Sequence, residues 1–407
     1  MEKTLLFVGG GIETLPGVVL AKEMGLRVIV SDRNPDAPCF KESHDHLIAD
    51  TYNGPETIAA LQKWTEINGG IHGVLCLGVD VPLTAALVAQ AFGLPGISPE
   101  SAQLAMDKLA MKHCFAREGV AIPWFGPVTS VAHLAELVSE QKHTLVLKPV
   151  DSRGARGVIR LKPQVDLDWA FHYAKKFSPT GRVMAEHYLP GPQISTESLV
   201  INGCAYTPGF SDRNYELLER HAPFFIENGG DLPSEVDAET QDQVTLLVDR
   251  AARAMGIQNG VVKGDVVVHR GKPYIIELAA RLSGGYFCTH SIPLNTGVPI
   301  VKYAILQAIG EAVNAEDLVP KYQRHVCQRY FFPKPGKVSN ISGFQETAAL
   351  DYVAYCELRT QPGQVIAPIE NHPGRAGVLM TLGATRQEAR TRAEAAVRSI
   401  IISTVKE

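Results

Sequence analysis

The sequence predicts a multidomain protein of mixed α/β and α+β class. Three observations carry that expectation: a length of 407 residues, an opening alternation of apolar runs with helical stretches, and a middle portion dominated by strand-forming runs. Domains run to roughly 100–200 residues, so two or three are expected here. Residues 5–8 form an apolar run ending in Gly9-Gly10-Gly11, and a helical pattern to Met24 leads into the β-branched run 27–31. That order is a βαβ opening. Apolar runs at 46–49 and 73–77 flank a helical stretch at 55–68, continuing the alternation that a parallel sheet requires. A Rossmann-like unit over 1–97 follows from this.

The turn-rich stretch Gly93-Leu94-Pro95-Gly96-Ile97-Ser98-Pro99 marks the first boundary, and a helix over 101–118 is expected after it, with Ser98 or Ser101 as its cap. Strand signals then dominate at 144–148, 158–161, 183–186 and 194–201. Runs 260–268 and 272–277, joined by His269-Arg270-Gly271, read as a hairpin that ends on a carboxylate. A helix over 300–312 follows, then strand-like runs at 325–332, 351–358 and 375–382 and a terminal helix over 386–401. The expected units are 1–97, 98–190, 191–325 and 326–407.

Composition narrows the function classes. A chain with 45% hydrophobic and 20% charged residues can bury a core. Its 39 basic and 43 acidic residues are interspersed, which leaves no basic stripe for a nucleic-acid backbone, so nucleic acid is not an expected partner. No apolar run approaches the ~20 residues that span a bilayer, and the first residues lack a signal-peptide layout, so a cytoplasmic protein with no membrane partner is expected. Seven dispersed cysteines without a CxxC pair signal neither a zinc knuckle nor a disulfide framework.

Three segments carry chemistry. Gly9-Gly10-Gly11 invites a dinucleotide reading, but Thr14 stands where GxGxxG needs a small residue and Glu13 would face a pyrophosphate, so a tight strand-to-helix turn is expected. Lys148 ends a strand and opens Pro149-Val150-Asp151-Ser152-Arg153-Gly154-Ala155-Arg156-Gly157, a small-residue loop. Such a loop can wrap phosphates with backbone N–H groups while the lysine adds charge; the alternative is a solvated hairpin turn. Asp265 and Glu277 lie on the two arms of the expected hairpin, a pair suited to Mg²⁺, and Arg281 follows four residues later with a fork that can hold phosphate charge.

In this order along nearly the whole chain, these segments resemble the ATP-grasp superfamily. Met106-Asp107-Lys108-Leu109-Ala110-Met111-Lys112 is similar to the family's DK…K helix, and the resemblance implies that Lys112 reaches ATP phosphates. It implies Lys148 as the second ATP lysine, a lid loop holding Ser152, Gly154, Arg156 and Gly157, and an adenine hinge at Glu186, His187, Tyr188 and Leu189. Gln193 occupies the ribose position, which is acidic in most relatives. Asp265 and Glu277 match the metal acids, for Mg²⁺ or Mn²⁺, and Arg281 matches the arginine that, with Lys148, supports the transferred phosphate. Ala279 replaces an asparagine that often ligates metal.

The run Glu277-Leu278-Ala279-Ala280-Arg281-Leu282-Ser283-Gly284-Gly285 resembles the L-amino acid ligase branch, as do Phe224-Phe225-Ile226-Glu227 and the tail from Gly374 to Ala389. That resemblance implies an ATP-dependent carboxylate–amine ligase that forms an acyl phosphate and joins it to an amine. Ser283, Gly284 and Gly285 would then approach the acyl carboxylate and Glu227 a substrate ammonium group, while Gly230 stands where some dipeptide ligases have histidine. Small-molecule carboxylates and amines are the implied partners, and a homodimer the implied assembly. Two alternatives stay open: a biotin-carboxylase-like or purine-biosynthesis-type enzyme using bicarbonate or a phosphoribosyl amine, and an ATP-binding regulator without catalysis.

Overall fold

The computed structural model describes residues 2–405. The N-terminal unit is a parallel sheet in which Thr4–Val8 lies between Arg27–Asp32 and Gly73–Leu75, with Asp45–Ile48 outermost. All five residues of Thr4–Val8 are buried, as expected of a strand covered on both faces. Gly10 N–H donates to the Asp32 carboxylate at 2.8 Å, so the acid that follows the second strand closes the glycine turn.

The expected helix over 101–118 is broken in two. Pro99–Met106 is capped by Ser98, and Lys108–Arg117 starts afresh because Asp107 takes an extended backbone (φ -122, ψ 102) and accepts from Ala110 N–H. An aspartate that can cap its own next turn competes with helix continuation.

Next comes a small antiparallel sheet in the order Phe125–Val128, Val183–His187, Leu145–Pro149, Ile159–Leu161. Helices Val131–Glu140 and Leu167–Lys176 cover one face through Leu134, Leu137, Phe171 and Ala174. The sequence reading missed both helices, although Ser130 and Asp166 cap them.

The main sheet has eight strands, ordered Lys272–Ala279, Gly260–His269, Gln193–Ile201, Cys204–Arg213, Gly230–Leu232, His325–Tyr330, Gly377–Gly383, Val353–Leu358. It runs without a break across residue 326: Asp231 pairs with Cys327 and Leu232 with Val326. Helix Ala238–Ala254, also unanticipated, packs Val244, Leu247, Val248 and Ala251 on one face, and Ile300–Ala308 covers the other beside Leu199 and Val261. The latter helix ends four residues short of the expected 312. Helix Arg386–Ser399 seats Ala389, Ala393 and Ala396 against the last strands, and Ile401–Val405 is a strand in a separate three-stranded sheet, not the helix end expected there. Among the described residues no helix is long and apolar enough to cross a membrane.

Candidate active site

A cavity of about 630 Å³ opens where the small sheet, the main sheet and the N-terminal unit meet. Lys148, 4% exposed, reaches it from the end of Leu145–Pro149 and bonds Glu186 at 2.5 Å. Lys112 is the clearest correction to the sequence reading. It lies outside the cavity wall, with no exposed surface, donating to Ile275 O at 3.1 Å and standing 3.1 Å from Glu186. The restart at Asp107 explains this, because it puts Lys108 in the first helical turn beside the cavity and Lys112 a turn later in the core. Lys108 Nζ donates to Ser152 O at 2.7 Å and lies 3.3 Å from Glu277.

Burial pushes the Lys112 ammonium down to about 8 even with Glu186 beside it. Burial also opposes ionisation of Glu186, but Lys112 and Lys148 outweigh it and hold the carboxyl below its ordinary value. The triad is a buried carboxylate between two ammonium groups, with one positive charge in excess. The Glu186 carboxylate thus holds two lysines while lining the cavity. His187, Tyr188, Leu189 and Gln193 line its hinge end, where the His187 ring stacks on Trp124 at 5.0 Å and bonds Gln141 at 2.8 Å.

The loop 151–157 covers the cavity, with Ser152, Gly154 and Arg156 in its lining. Gly157 turns the chain at φ +73, where a Cβ would meet Pro149 at 2.7 Å, so the turn requires glycine. The loop is docked at both flanks: the Arg153 guanidinium lies 4.5 Å over the Tyr52 ring, and Gly154 O accepts from His372 N–H at 3.1 Å. Arg156 donates to Arg153 O at 3.2 Å.

On the main sheet Asp265 and Glu277 are direct register partners, which brings together the two acids the hairpin reading paired. Burial works against ionisation of Asp265, but Arg213 at 2.6 Å and Lys263 hold its carboxyl far below the ordinary range. Among the described residues no group of three or more His, Cys, Asp or Glu forms a self-contained metal cage. Two facing carboxylates, one firmly ionised, still fit Mg²⁺, which takes one or two protein carboxylates and completes its shell with phosphate oxygens and water.

Arg281 lines the cavity and is clamped in bidentate fashion by Asp80, at 2.7 and 3.2 Å. Three further expectations are corrected. Glu227, expected at a substrate ammonium, is bonded by Arg213 at 2.7 Å and approached by Arg375 at 3.7 Å. Burial opposes its ionisation, yet these arginines bring it down to about 2. Ser283 N–H, expected at the acyl carboxylate, donates to Glu197 at 3.0 Å, and Gly285 N–H to Glu13 at 2.8 Å; both amides are already paired, and Gly284 lies between them. Glu197 is fully buried, and desolvation pushes it up to about 7.

Sequence reasoning missed Lys108, Asp80, Arg213, Glu197 and Arg375. Two of them carried a signal: Lys108 stands in the DK…K run, and Asp80 follows the parallel strand Gly73–Leu75 at its C-terminal edge, where α/β sheets hold their ligands. The others become visible as site residues only once strands distant in sequence are aligned.

Comparison with known proteins adds family matches to this geometry. Residues 105–285 match the ATP-grasp domain family, and 329–405 match L-amino acid ligase C-terminal domain 2. An uncharacterized protein, y4rH, of Sinorhizobium fredii is 25% identical over 340 residues, covering 81% of this chain and 68% of that one. The crystal structure of L-amino acid ligase from Bacillus licheniformis superposes with a TM-score of 0.82 at 20% identity, covering 100% of this chain and 99% of that one. Phosphoribosylglycinamide synthetase from Anaerococcus prevotii gives 0.76 at 19% identity, with 100% of both chains covered. At these identities the two structures speak to the fold.

Proposed function

From a chain that is an ATP-grasp protein with an L-amino acid ligase C-terminal domain, we propose an ADP-forming carboxylate–amine ligase acting on amino-acid-derived substrates. The observation that carries this reading is that the wall of one cavity holds Lys108, Lys148, the 151–157 loop, the Asp265–Glu277 pair and Arg281 together. A nucleotide lies along the small sheet in this reading, with its base at 187–189 and its phosphates between Lys148, Lys108 and the loop amides. The reading extends to a cytoplasmic enzyme, a homodimer, and units bounded near 97 and 190, while the main sheet joins the residues on either side of 325.

The chemistry has two steps. A substrate carboxylate oxygen attacks the γ-phosphorus, the bond from that phosphorus to the β–γ bridging oxygen breaks, and ADP leaves with the electron pair. A neutral amine then attacks the acyl carbon; the C–N bond forms, the C–O bond to phosphate breaks, and the amine's surplus proton passes to water or phosphate. Asp265 and Glu277 would hold Mg²⁺, which when bound neutralises charge on the β- and γ-phosphate oxygens. Lys148 and Arg281 supply fixed positive charge to the transferring group, and Asp80 keeps the Arg281 fork aimed. The docked 151–157 loop keeps water from the acyl phosphate.

The test is ADP and phosphate release from ATP·Mg²⁺ across carboxylates and amines, singly and in pairs, with product masses read alongside and a Glu277→Ala, Arg281→Ala double variant as blank. Release that requires both substrates and yields their condensed mass supports the ligase. Release with bicarbonate or a phosphoribosyl amine moves the assignment to the carboxylase or purine type. Tight ATP binding with no turnover under any mixture points to the regulator.

A further inference from the structure

Four residues from the main sheet to its C-terminal portion form a chain of contacts leading away from the metal acids. Asp265 bonds Arg213 Nη1 at 2.6 Å, Arg213 bonds the Glu227 carboxylate at 2.7 Å, and Arg375 Nη2 donates to Glu227 O at 2.7 Å. Arg375 therefore stands three contacts from Asp265, with Arg213 and Glu227 between them. It lines the same cavity, is 8% exposed, and stacks 3.8 Å over the Tyr330 ring, yet its Nε–H is buried without a partner. Three residues earlier His372, also in the lining, has its backbone fixed by the loop at Gly154 while its Nε2 is buried and unpaired. A buried polar atom without a partner is unfavourable until a ligand meets it. Burial and then the neighbouring Arg375 push the His372 imidazole well below its ordinary value, so the ring is neutral and can present one N–H.

The charges favour an anion as the missing partner. Arg213 and Arg375 share one carboxylate, Glu227, once Asp265 serves a cation. Arg359, the other guanidinium from the C-terminal portion in this wall, is matched by Glu13 and Glu357 and leaves no donor surplus of that kind.

We propose that Arg375 Nε–H and His372 Nε2 form a subsite for a substrate carboxylate other than the one that is phosphorylated. The proposal rests on the ligase reading and deepens it: at least one substrate carries a second acid, either the free carboxylate of an amino-acid acceptor or a side-chain carboxylate of the acyl donor. The C-terminal portion then acts in selection, since a plain amine and a plain monocarboxylate leave both atoms unpaired.

The experiment measures KM and kcat of the full-length wild type, Arg375→Met and His372→Asn with matched pairs, an amino acid against its amide as acceptor and a dicarboxylate against its monoamide as donor. Wild type is expected to prefer the acid of at least one pair, and Arg375→Met to raise KM for that acid roughly 10- to 100-fold, the range of a charge-assisted hydrogen bond. The matching amide and ATP should move less than threefold. A preference in the acceptor arm assigns the group to the amine substrate, and one in the donor arm to the acyl substrate. Equal use of acid and amide in both arms, or a variant that weakens acid and amide alike, overturns the subsite. Should Arg375→Met not fold, His372→Asn carries the same comparison. If wild type turns over no carboxylate–amine pair, the ligase reading fails separately; calorimetric titration with succinate against succinamate then decides the subsite, which stands if succinate alone binds and Arg375→Met abolishes it, and falls otherwise.

Discussion

Replacing Glu186 by glutamine keeps the shape of the side chain and removes the single negative charge between two buried ammonium groups. Lys112 and Lys148, 0% and 4% exposed, then face each other without a counterion. Removing one partner of a buried ion pair costs about 3–5 kcal/mol, a large share of the ~5–15 kcal/mol that holds a domain folded. Lys112→Met is the control, because it leaves Glu186 bonded to Lys148 at 2.5 Å and forfeits the Lys112 contacts to Ile275 O and to Glu186, with no charge left unpaired. That loss is about 1–3 kcal/mol. Urea unfolding of the three nucleotide-free proteins at pH 7 measures both. The pH dependence gives a second reading. Lys112 sits at about 8 in the folded protein against an ordinary 10.5, so between those values the unfolded chain holds a proton that the folded one has released. Stability attributable to Lys112 therefore rises with pH across that window, by about 3 kcal/mol relative to Lys112→Met. A Glu186→Gln loss below about 1 kcal/mol, or one smaller than that of Lys112→Met, refutes the account of the triad.

Lys108→Met is expected to raise the KM for ATP about tenfold or more in an ADP-release assay while moving the unfolding midpoint little, the reverse of Lys112→Met. Chelating divalent ions with EDTA should stop turnover yet leave the thermal midpoint within a few degrees, because Arg213, Lys263 and Lys108 already neutralise the two acids; the check is calorimetry with and without Mg²⁺. Glu197 sits at about 7 against an ordinary 4.5, so the folded state keeps a proton that the unfolded chain releases between those values. Stability should fall as pH rises through that window, by about 3 kcal/mol in all, and Glu197→Gln should flatten this slope in denaturant titrations at pH 5 and 8.

What the sequence made legible follows from how local each signal is. The hairpin opposing Asp265 to Glu277 is closed by a short turn and alternates regularly, so its register can be read from adjacent residues. The helix over 101–118 was misread because helical periodicity persists across Asp107, and one capping side chain, not a loss of pattern, interrupts it. The expectation accordingly fell on Lys112, a full turn past Lys108, the lysine that lines the cavity. Helices Val131–Glu140 and Ala238–Ala254 went unread although both carry capped starts, since strand-forming residues around them dominated the pattern. The partners of Arg281 and Glu13 lie 201 and 346 residues away, and no spacing within one segment encodes such pairings. Ser283 and Gly285 look available in sequence because nothing there reveals the carboxylates that bind their amides.

The unbroken main sheet bears on how this chain can be divided. The two family matches stop and restart on either side of residues 286–328, which invites treating the C-terminal portion as a cassette to be excised or exchanged. Yet His325–Tyr330 forms the ladder to Gly230–Leu232, Arg329 pairs with the buried Asp231 at 3.2 Å, and Arg386 reaches Asp212 at 2.5 Å. A chain ended before that strand would present Gly230–Leu232 as a raw edge beside uncompensated buried acid, the combination that drives strand-to-strand aggregation. The portion with its own family signature is thus not portable, and a graft between relatives would have to carry both sides of the Gly230–Leu232 ladder together.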